Sequence, residues 1–77
     1  MKLKELNNLI ADYSHRKFII YTDETFKTSC KTLLTPYYNT KNELINGEWN
    51  TDPDINREVI KFKVNHTSPN TYDVVLK

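Results

Sequence analysis

The sequence predicts an α+β fold, in which one N-terminal amphipathic helix packs on a four- or five-stranded, mainly antiparallel sheet. The strongest observation is at the C-terminus, where apolar and polar residues alternate at 60–64 and again at 72–76. Turn-forming residues at 67–70 separate the two runs. This pattern is typical of a β-hairpin with one solvated face. A chain of 77 residues is predicted to form a single domain, 1–77.

The helix and a second hairpin are predicted in the N-terminal half. Apolar residues spaced by three or four positions indicate a helix over roughly residues 2–14. Residues 18–22 are β-branched or aromatic on both sides, which favours a central strand. Residues 26–34 alternate and predict its hairpin partner, with Cys30 and Leu34 on the inner face, and Pro36 ends that strand.

Residues 37–57 leave two alternatives open. Residues 40–43 have the form of a helix capping box, which would begin a short helix that Gly47 ends. Alternatively, Asn46 and Gly47 form the turn of a hairpin between residues 43–45 and 48–50. Residues 52–54 resemble a helix start with proline at its first position, but the residues that follow prefer a strand, so we expect only a turn.

The predicted core collects the inward-facing apolar residues of the helix and the strands. Its members are Leu3, Leu6, Leu9, Ile10, Phe18, Ile20, Cys30, Leu34, Ile60, Phe62, Val64, Val74 and Leu76.

Composition argues against several classes of protein. One cysteine cannot form an internal disulfide, and two histidines with one cysteine are too few for a four-ligand zinc site without carboxylates. No apolar run is long enough to span a bilayer, and the N-terminal residues lack the pattern of a signal peptide. We therefore expect a cytoplasmic protein with no metal, no cofactor and no membrane partner.

No catalytic motif stands out either. One glycine cannot build a glycine-rich phosphate loop. Cys30 lies on an apolar-leaning strand face, where cysteine is usually a small buried hydrophobe and not the nucleophile of a pair with His15 or His66. Residues 52–58 alternate like half a calcium loop, but Arg57 stands where that loop needs glycine. The chain is predicted not to be an enzyme.

The predicted partner-binding surface lies in the acidic, aromatic middle segment. Tyrosine and tryptophan are enriched at interface hot spots, and residues 43–58 carry five carboxylates against Arg57 alone. The alternative is that the tryptophan and one tyrosine cover the open face of the sheet, while the carboxylates form a solvated loop. The predicted surface consists of Tyr37, Tyr38, Glu48, Trp49, Asp52 and Asp54.

These observations favour a small non-enzymatic intracellular protein-binding module. We interpret it as an inhibitor or regulator of a larger host machine, of the kind encoded by phages or mobile elements. A protein partner with a basic surface would suit the acidic segment, and a homodimer is also compatible with the sequence.

The alternative function is a nucleic-acid-binding regulator. Alternating lysines on neighbouring strands would form a basic sheet face beside Tyr21 or Tyr72. A net charge of +1 and the scarcity of arginine count against it, because phosphate binding needs several net positive charges. The lysines concerned are Lys27, Lys31, Lys61 and Lys63.

Overall fold

The computed structural model describes residues 1–10, 16–45 and 47–77. This part of the chain forms an α+β fold, as predicted, with one α-helix, a four-stranded sheet and a two-stranded sheet. Two short 3-10 helices, Trp49–Thr51 and Pro53–Asn56, precede the last two strands. The helix is α1 (Leu3–Leu9), and the strands are β1 (Lys17–Tyr21), β2 (Ser29–Leu34), β3 (Tyr37–Tyr38), β4 (Leu44–Ile45), β5 (Val59–Val64) and β6 (Thr71–Leu76).

The larger sheet has the strand order β2-β1-β6-β5. Strands β1 and β2 pair antiparallel, as do β5 and β6, so both predicted hairpins are confirmed. The hairpins join through β1 and β6, which run parallel with Phe18 opposite Tyr72 and Ile20 opposite Val74. The sheet is therefore mixed, whereas a mainly antiparallel sheet was predicted, and β1 is a central strand.

The core lies on one face of this sheet. Ile55 and Trp49, from the two 3-10 helices, add side chains that the sequence did not place in the core. The buried cluster consists of Leu3, Leu6, Phe18, Ile20, Leu33, Trp49, Ile55, Val74 and Leu76.

Helix α1 contributes Leu3 and Leu6 to the buried cluster, but the prediction that Leu9 is buried is wrong. Residues spaced by three in an α-helix fall about 60° short of a full turn at each step. Leu9 therefore points about 120° away from Leu3 around the helix axis, and its side chain is exposed. Residues 11–14 of the predicted helix lie outside the described residues.

The inner face of β2 was also assigned wrongly. The register places Leu33 opposite Phe18 and Lys31 opposite Ile20, so Leu33 enters the core. Side chains alternate along a strand, and Leu34 and Cys30 consequently face solvent. Trp49 and Ile55 belong to the buried cluster, whereas Leu34 and Cys30 do not.

In the middle segment, neither predicted alternative forms. Tyr37 pairs with Ile45 and Tyr38 with Leu44, so residues 39–43 make the turn of a small hairpin. The Asn39 side chain accepts hydrogen bonds from the amides of Lys41 and Glu43, both at 2.9 Å, which replaces the expected helix cap. The residues after Gly47 form the 3-10 helix and not a strand, and Asn46 lies outside the described residues.

Candidate functional site

Trp49 is a core residue and not part of an exposed surface. Its side chain is only 5% exposed, and its ring stacks on Phe18 with centroids 5.8 Å apart. The first 3-10 helix therefore places the Trp49 ring over Phe18 of strand β1. The alternative interpretation, in which Trp49 covers the open face of the sheet, matches this arrangement.

Asp52 and Asp54 both bind Lys31. The Lys31 ammonium lies 2.6 Å from an Asp52 carboxylate oxygen and 2.5 Å from an Asp54 oxygen. Arg57 binds the other Asp54 oxygen at 3.1 Å. Both carboxylates are largely buried, so this ion cluster joins β2 to the second 3-10 helix and leaves little charge for a basic partner.

The same contacts explain two pKa shifts. Hydrogen bonds to Asp52 and Asp54 raise the pKa of Lys31 above its usual value. The Lys31 ammonium, followed by Arg57, lowers the pKa of Asp54 despite the opposing effect of burial. Both pKa shifts favour the charged forms of Lys31 and Asp54, and the attraction between these two side chains holds β2 to the second 3-10 helix.

The remaining members of the predicted surface lie on or near the small hairpin. Tyr38 is 66% exposed and pairs with Leu44, which is also exposed, whereas Tyr37 is half-buried. Glu48 is exposed, but its backbone carbonyl is occupied by hydrogen bonds from the residues of the 3-10 helix. The six predicted residues thus divide among the core, the ion cluster and this hairpin.

The four lysines of the alternative site do not share one sheet face. Lys31 stands opposite Ile20 on the core side of the sheet. Lys61 and Lys63 stand opposite Val75 and Asp73, which belong to the other side. Lys27 precedes β2 and is exposed. The structure therefore brings together only Lys61 and Lys63.

These two lysines converge on one aromatic ring. The Lys63 ammonium lies 4.8 Å from the centroid of the Phe26 ring, and that of Lys61 lies 5.4 Å from it. Lys61 also donates a 3.2 Å hydrogen bond to the Glu24 carbonyl. Tyr21 packs edge-on against the same ring at 5.5 Å. The ring orients both cations, and the Glu24 carbonyl orients Lys61 alone.

Phe26 has a backbone φ of 57°, which is unfavourable for a bulky residue. The preceding turn enforces it: the Phe26 amide donates to the Asp23 carbonyl, and the Asp23 carboxylate accepts from the amides of Lys27 and Thr28 and from the Thr25 hydroxyl. The hydrogen bond from Thr25 is the first cause of the lowered pKa of Asp23. The strained residue therefore holds its ring under the two lysines.

The outer edge of β5 is the clearest apolar surface of the described residues. The side chains of Ile60, Phe62 and Val64 are 50%, 46% and 52% exposed, although all three were predicted to be core residues. The core prediction is wrong because β5 lies at the edge of the sheet, and Ile60 falls at the register shift between Val59 and Lys61. Alternation revealed this strand, but no local signal distinguishes an edge strand from a central one.

Other kinds of site find no geometry among the described residues. Within 1–10, 16–45 and 47–77, no three His, Cys, Asp or Glu side chains lie close enough to hold a metal ion. The same ranges contain no helix of the length and apolarity needed to cross a membrane. Cys30 is exposed, and His15 lies outside the described residues.

No protein family model matches this chain, and neither a curated protein nor a solved structure shows significant similarity to it.

Proposed function

We propose that this chain is a small protein-binding module that acts by contact and not by catalysis. The observation that supports the proposal is the exposure of the apolar side chains of Ile60, Phe62 and Val64 on the outer strand of the sheet, a stretch that we call the β5 edge. Adjacent exposed apolar side chains on a small domain often mark interaction sites, and edge strands can pair with another chain. An inhibitor or regulator of a larger assembly needs only such a surface.

We place the proposed surface on the β5 edge and not on the middle segment. Trp49, Asp52 and Asp54 are engaged inside the protein, which leaves Tyr38 as the exposed aromatic residue of the predicted surface. The β5 edge offers three exposed apolar side chains, together with strand geometry that a partner can extend. Nucleic-acid binding has weaker support, because Lys31 is separated from Lys61 and Lys63 by the sheet.

The two surfaces can be compared by photo-crosslinking in cells that encode the protein. p-Benzoylphenylalanine would replace Phe62 in one variant and Tyr38 in another, since both are exposed aromatic residues. We expect one discrete protein adduct from position 62, with unmodified protein in excess suppressing it, and none from position 38. An adduct from position 38 alone would move the contact to the hairpin, and no adduct from either position would contradict protein binding.

A further inference from the structure

Main-chain groups at the β5 edge are directed away from the sheet. The Asn65 amide donates to the Thr71 carbonyl at 2.9 Å, which defines a hydrogen-bonded pair of the β5–β6 hairpin. Such pairs alternate with non-bonded ones in an antiparallel ladder. The backbone N–H and C=O of Lys63 therefore point toward β6, while those of Phe62 and Val64 point away from the sheet. Across the described ranges, no other segment forms a backbone hydrogen bond with Phe62 or Val64.

Residues 1–3 already pair with the main chain just before the β5 edge. The Val59 amide donates to the Met1 carbonyl at 2.7 Å, and the Leu3 amide donates to the Arg57 carbonyl at 3.1 Å. Lys2 and Glu58 form the antiparallel bridge between these contacts. The main chain at 57–59 therefore accepts an added strand, and residues 1–3 make no backbone hydrogen bond with Phe62 or Val64.

The two faces of the β5 edge have different chemistry. Phe62 and Val64 lie on the core side of the sheet, where they offer apolar contact to an added strand. Lys61 and Lys63 lie on the other side, and more than half of the Lys63 side chain is exposed. Cross-strand pairs of opposite charge and apolar pairs both stabilise a ladder. An added strand would therefore complement the β5 edge best if its apolar side chains alternated with acidic ones.

A second copy of this chain is the wrong occupant by charge. If two β5 edges paired antiparallel with Phe62 opposite Phe62, Lys61 of one copy would stand opposite Lys63 of the other. If Phe62 stood opposite Val64, Lys63 would stand opposite Lys63. Like charges directly opposite destabilise a strand pair, so the lysines disfavour self-pairing while they favour an acidic strand.

The fixed position of the lysines points the same way. Both ammonium groups lie over the ring of the strained residue Phe26, Lys61 also donates to the Glu24 carbonyl, and Lys63 lies 4.0 Å from an Asp73 carboxylate oxygen. Lysines that serve only to keep an edge soluble need no such support. Cations that are ordered before binding lose less conformational entropy when an acidic partner arrives.

We propose that the β5 edge binds an extended segment of a partner protein in which acidic residues alternate with β-branched or aromatic ones. The segment adds a strand to Phe62 and Val64 through backbone hydrogen bonds, and its carboxylates contact Lys61 and Lys63. This inference rests on the proposed function and specifies its partner.

The probe is a peptide of alternating glutamate and valine, compared with a lysine–valine peptide and with a glutamate–valine peptide carrying proline at the central valine. Binding to the isotope-labelled protein is followed by amide shifts and by amide hydrogen exchange. We expect the glutamate peptide to protect the amides of Phe62 and Val64, and the lysine and proline peptides to bind roughly tenfold more weakly.

Variants of the protein test the same contacts. K61E, which keeps the 4.0 Å contact between Lys63 and the buried Asp73, should abolish the preference for the glutamate peptide, while the control K41E, which changes an exposed lysine on the small hairpin, should leave it unchanged. V64P should abolish binding and keep the fold, because that N–H points away from β6. If V64P does not fold, the proline peptide tests the same hydrogen bond from the other side.

Several outcomes would overturn the inference. Equal binding of the glutamate and lysine peptides, or amide shifts confined to the small hairpin, would contradict the proposal that an acidic strand binds at the β5 edge. Displacement of the glutamate peptide by a single-stranded oligonucleotide at Lys61 and Lys63 would indicate a nucleic-acid ligand, and concentration-dependent dimerisation that protects Phe62 would indicate a second copy. A protein adduct at position 62 together with any of these results would preserve the proposed function while this inference fails.

Discussion

Trp49 and Phe18 stack with ring planes inclined by 29° and centroids 5.8 Å apart, which joins a 3-10 helix to a central strand of the sheet. Both rings are almost completely buried. Truncation of such a ring leaves a large cavity, so we expect W49A to lower the free energy of unfolding by about 3–5 kcal/mol. Urea denaturation of the variant and the parent protein measures the difference.

Y38A is the matched control for this substitution, because Tyr38 is an aromatic residue that is mostly exposed. We expect it to change the free energy of unfolding by less than about 1 kcal/mol. If the two variants were destabilised equally, Trp49 would not be the core residue that its burial indicates.

Phe26 gives a prediction that reverses the usual order of two substitutions. Glycine is ordinarily less favourable than alanine, but at a φ of 57° only glycine avoids the clash of its Cβ. F26G and F26A lose the same ring contacts with Tyr21 and the lysines, so we expect F26G to be more stable than F26A by about 1 kcal/mol. Thermal unfolding of the pair would show the opposite order if Phe26 were unstrained.

Acid should weaken the fold partly through Asp54. Lys31, followed by Arg57, lowers the pKa of this carboxyl in the folded protein. A lowered pKa contributes stability that is complete above the unfolded value of about 3.9 and disappears as the pH falls through the folded value. We therefore expect the free energy of unfolding to decrease as the pH is lowered beneath about 4, and to decrease less steeply in D54N and K31M. Urea denaturation at a series of pH values measures this dependence.

The comparison with D54N separates this effect from those of other carboxyls. Hydrogen bonds also lower the pKa values of Asp23 and Glu58, and both groups lose stability in acid with the same sign. Their contributions are common to the parent and D54N, and they cancel in the difference between the two pH profiles. Parallel profiles for D54N and the parent would show that Lys31 and Arg57 do not stabilise the ionised carboxyl.

Thr35 is a buried polar residue with a defined structural role. Its hydroxyl accepts a 2.8 Å hydrogen bond from the Arg16 amide and donates to the Arg16 carbonyl at 3.1 Å. Valine has nearly the same shape, but it leaves that buried amide without this acceptor. We expect T35V to cost about 1–3 kcal/mol of stability by urea denaturation, and T35S to recover much of the loss.

The hairpins were predictable because their signals are local. Alternation at 60–64 and 72–76 and the turn residues between them specify a pairing of neighbouring segments. The parallel pairing of β1 with β6 joins segments far apart in the sequence, and no pattern within either strand encodes it. The same pairing places β6 between β1 and β5, so β5 lies at the edge of the sheet. Because the alternation within β5 does not reveal this position, Phe62 and Val64 were predicted to be core residues.

The residues of the predicted partner surface lie apart for a related reason. Tryptophan and carboxylates in an irregular segment suit both an exposed contact surface and a cover for a sheet, and composition does not separate the two. Burial of Trp49 depends on the position of Phe18, and the engagement of Asp52 depends on the side from which Lys31 projects. These are long-range relationships, so only the fold distinguishes a structural ion cluster from a docking patch.

Strand β6 holds the two halves of the larger sheet together. It follows β5 along the chain, yet it lies between β1 and β5 in the sheet. Without residues 71–76, the first hairpin has no strand through which to join β5, and Phe18 and Ile20 lose their neighbours Tyr72 and Val74. The sheet therefore depends on a pairing between distant segments, and a chain cut before Thr71 would expose unpaired apolar strands to chaperones and proteases.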